Sequence, residues 1–344
     1  MQVSYAQKDA LRATAMSERA RVFATRALRG AAFERLGQGC DLDTWLERAA
    51  PPPDPLATRA ATADGLLCLL TDRIDAALLA RCPRLRAISS VSVGVDHVDL
   101  AAATARGIPV GHTPGVLTET TADLAFALLL AAARRIAEGD RFVRAGAWTP
   151  ERVWEPEMLL GRDLHGATLG LVGLGAIGQA VARRAHGFGM RVLAWSRTRR
   201  EVAGVEYTSL EALLEAADFV SIHVALAPET HGLLGASALA RMKPGGVLVN
   251  TARGGIVDEV ALADALRSGR LAAAGLDVFE REPLEPASPL LTLPNVVVTP
   301  HIGSASEATR ARMVEVAVKN LIAALDGERM PHCANPKVYD RAHS

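Results

Sequence analysis

The chain has 344 residues, 49% of them apolar, and its 38 basic side chains balance 38 acidic ones for a formal net charge of +0. That length exceeds what a single hydrophobic core usually holds, so two domains are expected, each apolar enough to bury a core. The charge balance argues against a phosphate-backbone footprint, which needs a basic excess gathered on one face, so nucleic acid is not an expected partner.

The first eighteen residues, MQVSYAQKDALRATAMSE, carry mixed charge and lack the apolar centre of a signal peptide. Residues 1–18 therefore read as an N-terminal extension, with Met16 as an alternative start. Short apolar runs then alternate with helical patterns, the rhythm of β-α-β units around a parallel sheet. RVFAT (21–25), GLLCLL (65–70), LRAISSVSV (85–93) and IPVGH (108–112) read as buried strands. IDAALLARCP reads as a helix ended by Pro83, and the proline-rich PPPDP at 51–55 as a loop or extended linker. TETTADLAFALLLAAARR reads as a helix between domains, with a Thr cap at its start and Arg134 and Arg135 near its end, where cations suit the helix dipole. Its apolar stretch LAFALLLAAA spans ten residues, where roughly twenty are needed to cross a bilayer, so no membrane partner is expected. The four cysteines, Cys40, Cys68, Cys82 and Cys333, show no metal-type spacing and read as reduced thiols of a cytoplasmic protein.

A second series of strands follows: TLGLVGLG (168–175), MRVLAWS (190–196), DFVSIHVAL (218–226), GGVLVNTA (245–252), LAAAGLDVF (271–279) and NVVVTPHIG (295–303). Six strands separated by helices make a complete doubly wound sheet. The last periodic stretch, SEATRARMVEVAVKNLIAALDGE, is an amphipathic helix with no strand after it, and is expected to return to the first domain.

Gly173, Gly175 and Gly178 form Gly-x-Gly-x-x-Gly after a strand and at the opening of a helix. Gly173 suits the tight turn, Gly175 the approach of backbone to a pyrophosphate, and Gly178 close packing of helix on strand. The helix N-terminus, with Ala176 and Ile177, then faces the anion. An NAD-preferring site carries an Asp or Glu at the end of the next strand to bind the adenine ribose. This chain has Trp195 and Ser196 there, followed by three arginines within AWSRTRR. Ser196 and Thr198 as hydroxyl donors and Arg197 as a charged fork suit a 2′-phosphate, so NADPH is the expected cofactor, with NADH possible.

Three segments follow strands of the second series, at the edge where open parallel sheets bind ligands. NTARGGIVDE offers Arg253, a guanidinium that can hold a carboxylate or keto oxygen; GLDVFEREP offers Glu282; TPHIG offers His301. Reducing a ketone by hydride requires a proton for the developing alkoxide, and histidine supplies one near neutral pH. A carboxylate beside it keeps it charged, which assigns Glu282 to His301. Nothing has metal-ligand spacing, so no metal is expected. His97 follows Asp96 and is placed to orient that loop, while His112, His165, His186, His223 and His231 show no partner in sequence.

GLVGLGAIGQ, NTARGGIVDE, AAAGLDVFEREPL and NVVVTPHIGSAS together resemble the D-isomer-specific 2-hydroxyacid dehydrogenases, from about Arg21 to about Pro331. GLLCLLTD, SVSVGVDHVDL and GHTPGVLTETTADLAFALLL resemble the glyoxylate and hydroxypyruvate reductase branch. The resemblance implies an α/β fold of two doubly wound parallel-sheet domains, a Rossmann cofactor domain at 117–303 inserted into a flavodoxin-like substrate domain made of 19–116 and 304–344. It implies that the amides of Val93 and Gly94 grip the substrate carboxylate, and that Thr121 and Asp277, with Ala252 and Gly303, lie on the nicotinamide side. The reaction is implied in the cleft between the domains, in a homodimer. Ala225 stands where the family usually has a proline, and Asp123 where Glu is commoner. GAWTPERVWEPEMLLG resembles the branch's tryptophan loop with different spacing, so Trp154 either touches a neighbouring subunit's substrate or packs in the dimer interface.

The expected activity is NADPH-dependent reduction of glyoxylate to glycolate and of hydroxypyruvate to D-glycerate. The alternatives are another D-2-hydroxyacid dehydrogenase, acting on 2-ketogluconate, phenylpyruvate, phosphoglycerate, formate or phosphite, and a nicotinamide-sensing corepressor-like binding protein. Formate enzymes resemble a pattern with Gln at the position of Glu282, and the chain has only its short extension to recruit a partner.

Overall fold

The structure is a computed structural model that describes residues 19–343. The N-terminal extension at 1–18 lies outside the described residues. Two compact units divide the chain: the first ends at Val116 and resumes at Glu307, and the second runs from Leu117 to Ser306. The return to the first unit thus falls at 306/307 rather than at the expected 303/304.

In the first unit β1 (Arg21–Ala24), β2 (Asp41–Thr44), β3 (Gly65–Cys68), β4 (Ala87–Ser90) and β5 (Val110–Gly111) form a parallel sheet in the order β2-β1-β3-β4-β5. β3 and β4 are buried at every position, as strands covered on both faces must be. Phe23, Leu66, Ile88 and Val110 carry the core on one face. The helix Glu307–Leu325 packs on β3, β4 and β5, so the unpaired C-terminal helix is a layer of the first unit, as expected. Ser89 Oγ donates to the Ala317 carbonyl at 2.8 Å, and Gly65 leaves room for Leu321 and Leu325.

The second unit holds β6 (Thr168–Val172), β7 (Arg191–Trp195), β8 (Val205–Tyr207), β9 (Phe219–Ile222), β10 (Gly246–Asn250), β11 (Leu271–Leu276) and β12 (Val296–Val298). They form a parallel sheet in the order β12-β11-β10-β9-β6-β7-β8. Alternate residues face two cores. Leu169, Leu171, Val247 and Val249 pack under the helices Thr118–Ala133 and Ala176–Gly187, while Val172, Val220, Ile222 and Leu248 fill the opposite face. The order reverses at β6, which has β7 on one side and β9 on the other, and this is the switch point where doubly wound sheets bind ligands.

Three local expectations need correction. The edge strands β2 and β8 are absent from the expected set, because no residue of DLDT or VEY is fully buried and neither reads as a buried apolar run. PPPDP is not a linker: Pro53 opens the helix Pro53–Ala61, where a residue without an N–H is tolerated at the first helical position. The helix Thr118–Ala133 has Leu117 at its cap position and no side-chain capping bond, since Thr118 already lies inside the helix. Arg199 and Arg200, which follow the expected phosphate contacts, are exposed and both meet Tyr207 of β8. The Arg199 guanidinium lies 5.8 Å from the ring centroid, and the Arg200 N–H donates to the Tyr207 hydroxyl at 2.8 Å.

Among the described residues no helix is long and apolar enough to cross a membrane, and no group of three or more His, Cys, Asp or Glu could hold a metal. All four cysteines are free.

Candidate active site

The carboxyl end of β6 runs into the three glycines, and each has a different physical reason. Gly173 has φ +106°, and a Cβ there would stand 2.7 Å from the His223 carbonyl carbon. Gly178 lies so close beneath the Gly173 carbonyl oxygen that any Cβ would overlap it. Gly175, by contrast, faces open space and is the exposed cap residue of the helix Ala176–Gly187. Two glycines are therefore required by the protein's own backbone, and the middle one leaves a concavity at a helix N-terminus, where the first N–H groups have no partner within the helix. No acidic residue lies in that first turn. The site accordingly fits the diphosphate of a dinucleotide.

Below this loop His223, which shows no partner in sequence, has one in the structure. Its Nε2 lies 2.9 Å from Ser221 Oγ, and burial pushes its pKa down to about 4, so a neutral ring packs under the cradle. Gly173 N–H also donates to the Trp195 carbonyl at 2.8 Å, which ties the glycine turn to the end of β7. Ser196, half-buried, and Arg197 and Thr198, exposed, follow directly.

The groups expected to react, Arg253, Glu282 and His301, follow the carboxyl ends of β10, β11 and β12. His301 Nδ1 lies 2.7 Å from Glu282 Oε2, and the other oxygen of Glu282 accepts the Phe279 N–H at 3.1 Å. Burial raises the Glu282 carboxyl, but its hydrogen bond to His301, the Phe279 amide and the Arg253 charge outweigh that and hold it below its ordinary value of 4.5. Glu282 is therefore a carboxylate near neutral pH. His301 has φ 52°, uncommon for a residue with a side chain, so its backbone must be held from outside.

Asp277 does the holding. Its Oδ1 accepts from Thr299 Oγ1 at 2.6 Å and from Ile302 N at 2.8 Å, its Oδ2 accepts from Gly303 N at 2.8 Å, and its carbonyl accepts the His301 N–H at 2.9 Å. Burial pushes the carboxyl above its ordinary 3.8 despite these donors. The residue expected on the nicotinamide side is thus, in the structure, 0% exposed beneath the turn that carries His301. Thr121 Oγ1 donates to the Gly303 carbonyl at 3.0 Å, so Thr121, Asp277 and Gly303 come together.

Arg253 is positioned by a residue that sequence reasoning missed. Asn250, 1% exposed at the end of β10, accepts the Ala252 N–H at 3.0 Å and donates to the Arg253 carbonyl at 2.9 Å. The Arg253 guanidinium donates to the Ala252 carbonyl at 2.8 Å. Gly254 makes room for the Phe279–Glu280 peptide, which a Cβ would overlap, so the Arg253 turn and the Glu282 loop are packed backbone to backbone. Val93 and Gly94 belong to the first unit, where they follow β4 and are partly buried. Trp154 is 76% exposed.

The NAD-binding domain model of the D-isomer specific 2-hydroxyacid dehydrogenases matches residues 126–303. A glyoxylate reductase of Korarchaeum cryptofilum is 51% identical over 322 residues, 92% of this chain and 96% of the relative. Among solved structures, the TT0316 protein of Thermus thermophilus is 53% identical with a TM-score of 0.86, covering 91% of this chain and 99% of that one. An NADPH-dependent glyoxylate/hydroxypyruvate reductase of Sinorhizobium meliloti, solved with NADP and malonate, is 35% identical with a TM-score of 0.82, covering 92% of this chain and 97% of that one. The chain belongs to the D-isomer-specific 2-hydroxyacid dehydrogenase family, whose members pair a Rossmann cofactor domain with a second parallel-sheet domain. Within it the relatives place the chain in the glyoxylate reductase branch, as an enzyme of small keto acids with a nicotinamide cofactor.

Proposed function

We propose that the protein is an NADPH-dependent reductase of glyoxylate and hydroxypyruvate, forming glycolate and D-glycerate. The observation that carries this is the 2.7 Å contact between His301 Nδ1 and Glu282 Oε2, beside the Arg253 charge, in the unit that holds the glycine loop. A bound nicotinamide would supply the hydride that adds to C2 of the keto acid.

The chain's own residues do the rest. Glu282, ionised, takes the Nδ1 proton of His301 as a hydrogen bond and stabilises the imidazolium, so Nε2 is the nitrogen that delivers a proton to the developing alkoxide. Arg253 holds the carboxylate and polarises the keto oxygen. The amides of Val93 and Gly94 hold the carboxylate as well. Gly173, Gly175 and Gly178 with the amides of Ala176 and Ile177 receive the diphosphate, and Thr121, Ala252, Asp277 and Gly303 form the nicotinamide side. Ser196, Arg197 and Thr198 bind the 2′-phosphate. The absence of a carboxylate at Trp195 or Ser196 supports NADPH, and so does the relative solved with NADP.

A homodimer in the cytoplasm is part of the proposal. Six of the twelve exposed large apolar side chains among the described residues fall between Ile136 and Leu160, namely Ile136, Val143, Trp148, Val153, Trp154 and Leu160. Exposed apolar side chains gathered in one segment suit a protein contact, and a second copy of the chain would cover them, Trp154 included.

The test is a panel of glyoxylate, hydroxypyruvate, pyruvate, 2-ketogluconate and phenylpyruvate with each nicotinamide cofactor. The highest kcat/KM is expected for glyoxylate or hydroxypyruvate with NADPH; a preference for NADH refutes the cofactor assignment, and no turnover refutes the enzyme. His301→Ala is expected to bind NADPH normally and to lose roughly 100- to 10,000-fold in kcat, the usual contribution of a positioned acid. A near-normal kcat would put the proton donor elsewhere.

A further inference from the structure

We infer that His112 and the hydrogen-bonded series His97, Ser90, Ser92 are positioning residues that turn the loop Ser92–Gly94 into an anion-binding nest, and so set the affinity for the substrate carboxylate. This deepens the assignment of Val93 and Gly94 to that carboxylate and rests on it.

The loop's carbonyls come first. Three successive carbonyl oxygens of the loop are each taken by a donor of the first unit. Thr113 N–H donates to Ser92 O at 2.8 Å, His112 Nδ1 lies 3.0 Å from Val93 O, and Ser92 Oγ donates to Gly94 O at 2.7 Å. A carbonyl oxygen only accepts, so His112 presents Nδ1–H. In a trans peptide the C=O and the following N–H point in opposite directions. Drawing Val93 O toward His112 therefore turns the Gly94 N–H the other way, and drawing Ser92 O toward Thr113 does the same for the Val93 N–H. Successive amides presented in this way form a concavity for an anion.

The direction of the second clamp follows from counting protons. Ser92 spends its one hydroxyl proton on Gly94 O, so its 2.7 Å contact with Ser90 Oγ must be donated by Ser90. Ser90 then has no proton left for His97, so the 3.0 Å contact between them is a donation from His97 Nε2–H. The series runs one way, from His97 through two buried serines to the Gly94 carbonyl. His112 is itself held on both sides: its N–H donates to His332 O at 3.2 Å, and its carbonyl accepts from the fully buried Asn320 at 2.8 Å. The C-terminal segment thus backs the loop.

The experiment compares wild type with H112L, H112N and S92A, measuring KM for glyoxylate, the inhibition constant of oxalate, kcat and the Kd of NADPH. H112L and S92A are expected to raise KM and the oxalate constant roughly three- to tenfold, the worth of one hydrogen bond, with kcat and NADPH Kd changed less than about twofold. H112N, which keeps an N–H donor at the δ position, recovers most of the affinity. Wild-type KM and oxalate constants in both H112L and S92A overturn the inference, and because S92A acts on a different carbonyl the test does not depend on H112L folding. Amide NMR separates the two levels. If saturating oxalate leaves the Gly94 amide resonance of the wild-type NADPH complex unmoved, the assignment of the loop to the carboxylate falls, and this inference with it. If that resonance moves equally in wild type and H112L, only the bracing falls.

Discussion

The two units each carry a loop to which we assign an anion, and the two loops reach their shape by opposite means. The loop Gly173–Gly178 is shaped by what is missing: side chains at Gly173 and Gly178 would collide with backbone, and Gly175 leaves space in front of a helix end. The loop Ser92–Gly94 is shaped by what is added, since a histidine, a serine series and a backbone amide each pull one carbonyl back. The first device is steric and insensitive to the protonation of any group. The second depends on residues as far along the chain as His112 and Thr113, each contributing about 1 kcal/mol. A steric cradle suits a diphosphate that is the same in every catalytic cycle, and a hydrogen-bonded one can be adjusted residue by residue to a small acid.

The contrast can be broken at several points. The largest effect is expected for Gly178→Ala, whose Cβ would overlap the Gly173 carbonyl; overpacking of this kind costs about 3 kcal/mol, so a denaturant titration should show it together with loss of NADPH binding. If the variant keeps wild-type stability, the turn is not sterically determined. Asn320→Ala comes next. It strips the His112 carbonyl and the His332 N–H of a buried partner and is expected to lower stability by about 2 kcal/mol, with NADPH Kd unchanged. Gly175→Ala should separate shape from ligand: the melting temperature of the free protein stays within about 2 °C, because the Cβ enters open space, while NADPH Kd rises roughly tenfold. A lowered melting temperature would show that Gly175 is structural like its neighbours. The smallest effect belongs to Arg197→Ala, expected to lower the ratio of kcat/KM for NADPH over NADH roughly fivefold, less at high salt because the side chain is exposed. An unchanged ratio would move the 2′-phosphate contact to another residue.

A third loop lies between these extremes and shows where sequence reading stops. His301 and Glu282 could be paired from their positions after successive strands, and the structure brings them within 2.7 Å. Nothing in TPHIG announces that His301 takes φ 52°, or that Asp277 holds the turn through three donors and its own carbonyl. Asn250 beneath Arg253 escaped for the same reason, since a buried polar side chain at a strand end gives no periodic signal. The edge strands β2 and β8 were lost because half-solvated strands need not be apolar.

The sequence by itself determined the alternation of strands and helices, the position of the glycine loop, the missing acid after β7, and the C-terminal helix that belongs to the first unit. These rest on local sterics and on the burial period, which act over a few residues and leave a pattern wherever they act. Only the tertiary structure decided that His112 restrains the Val93 carbonyl and that Asp277 holds the turn of His301. A hydrogen bond between residues far apart in the chain exists only once the strands have brought them together, so no pattern along the sequence records it.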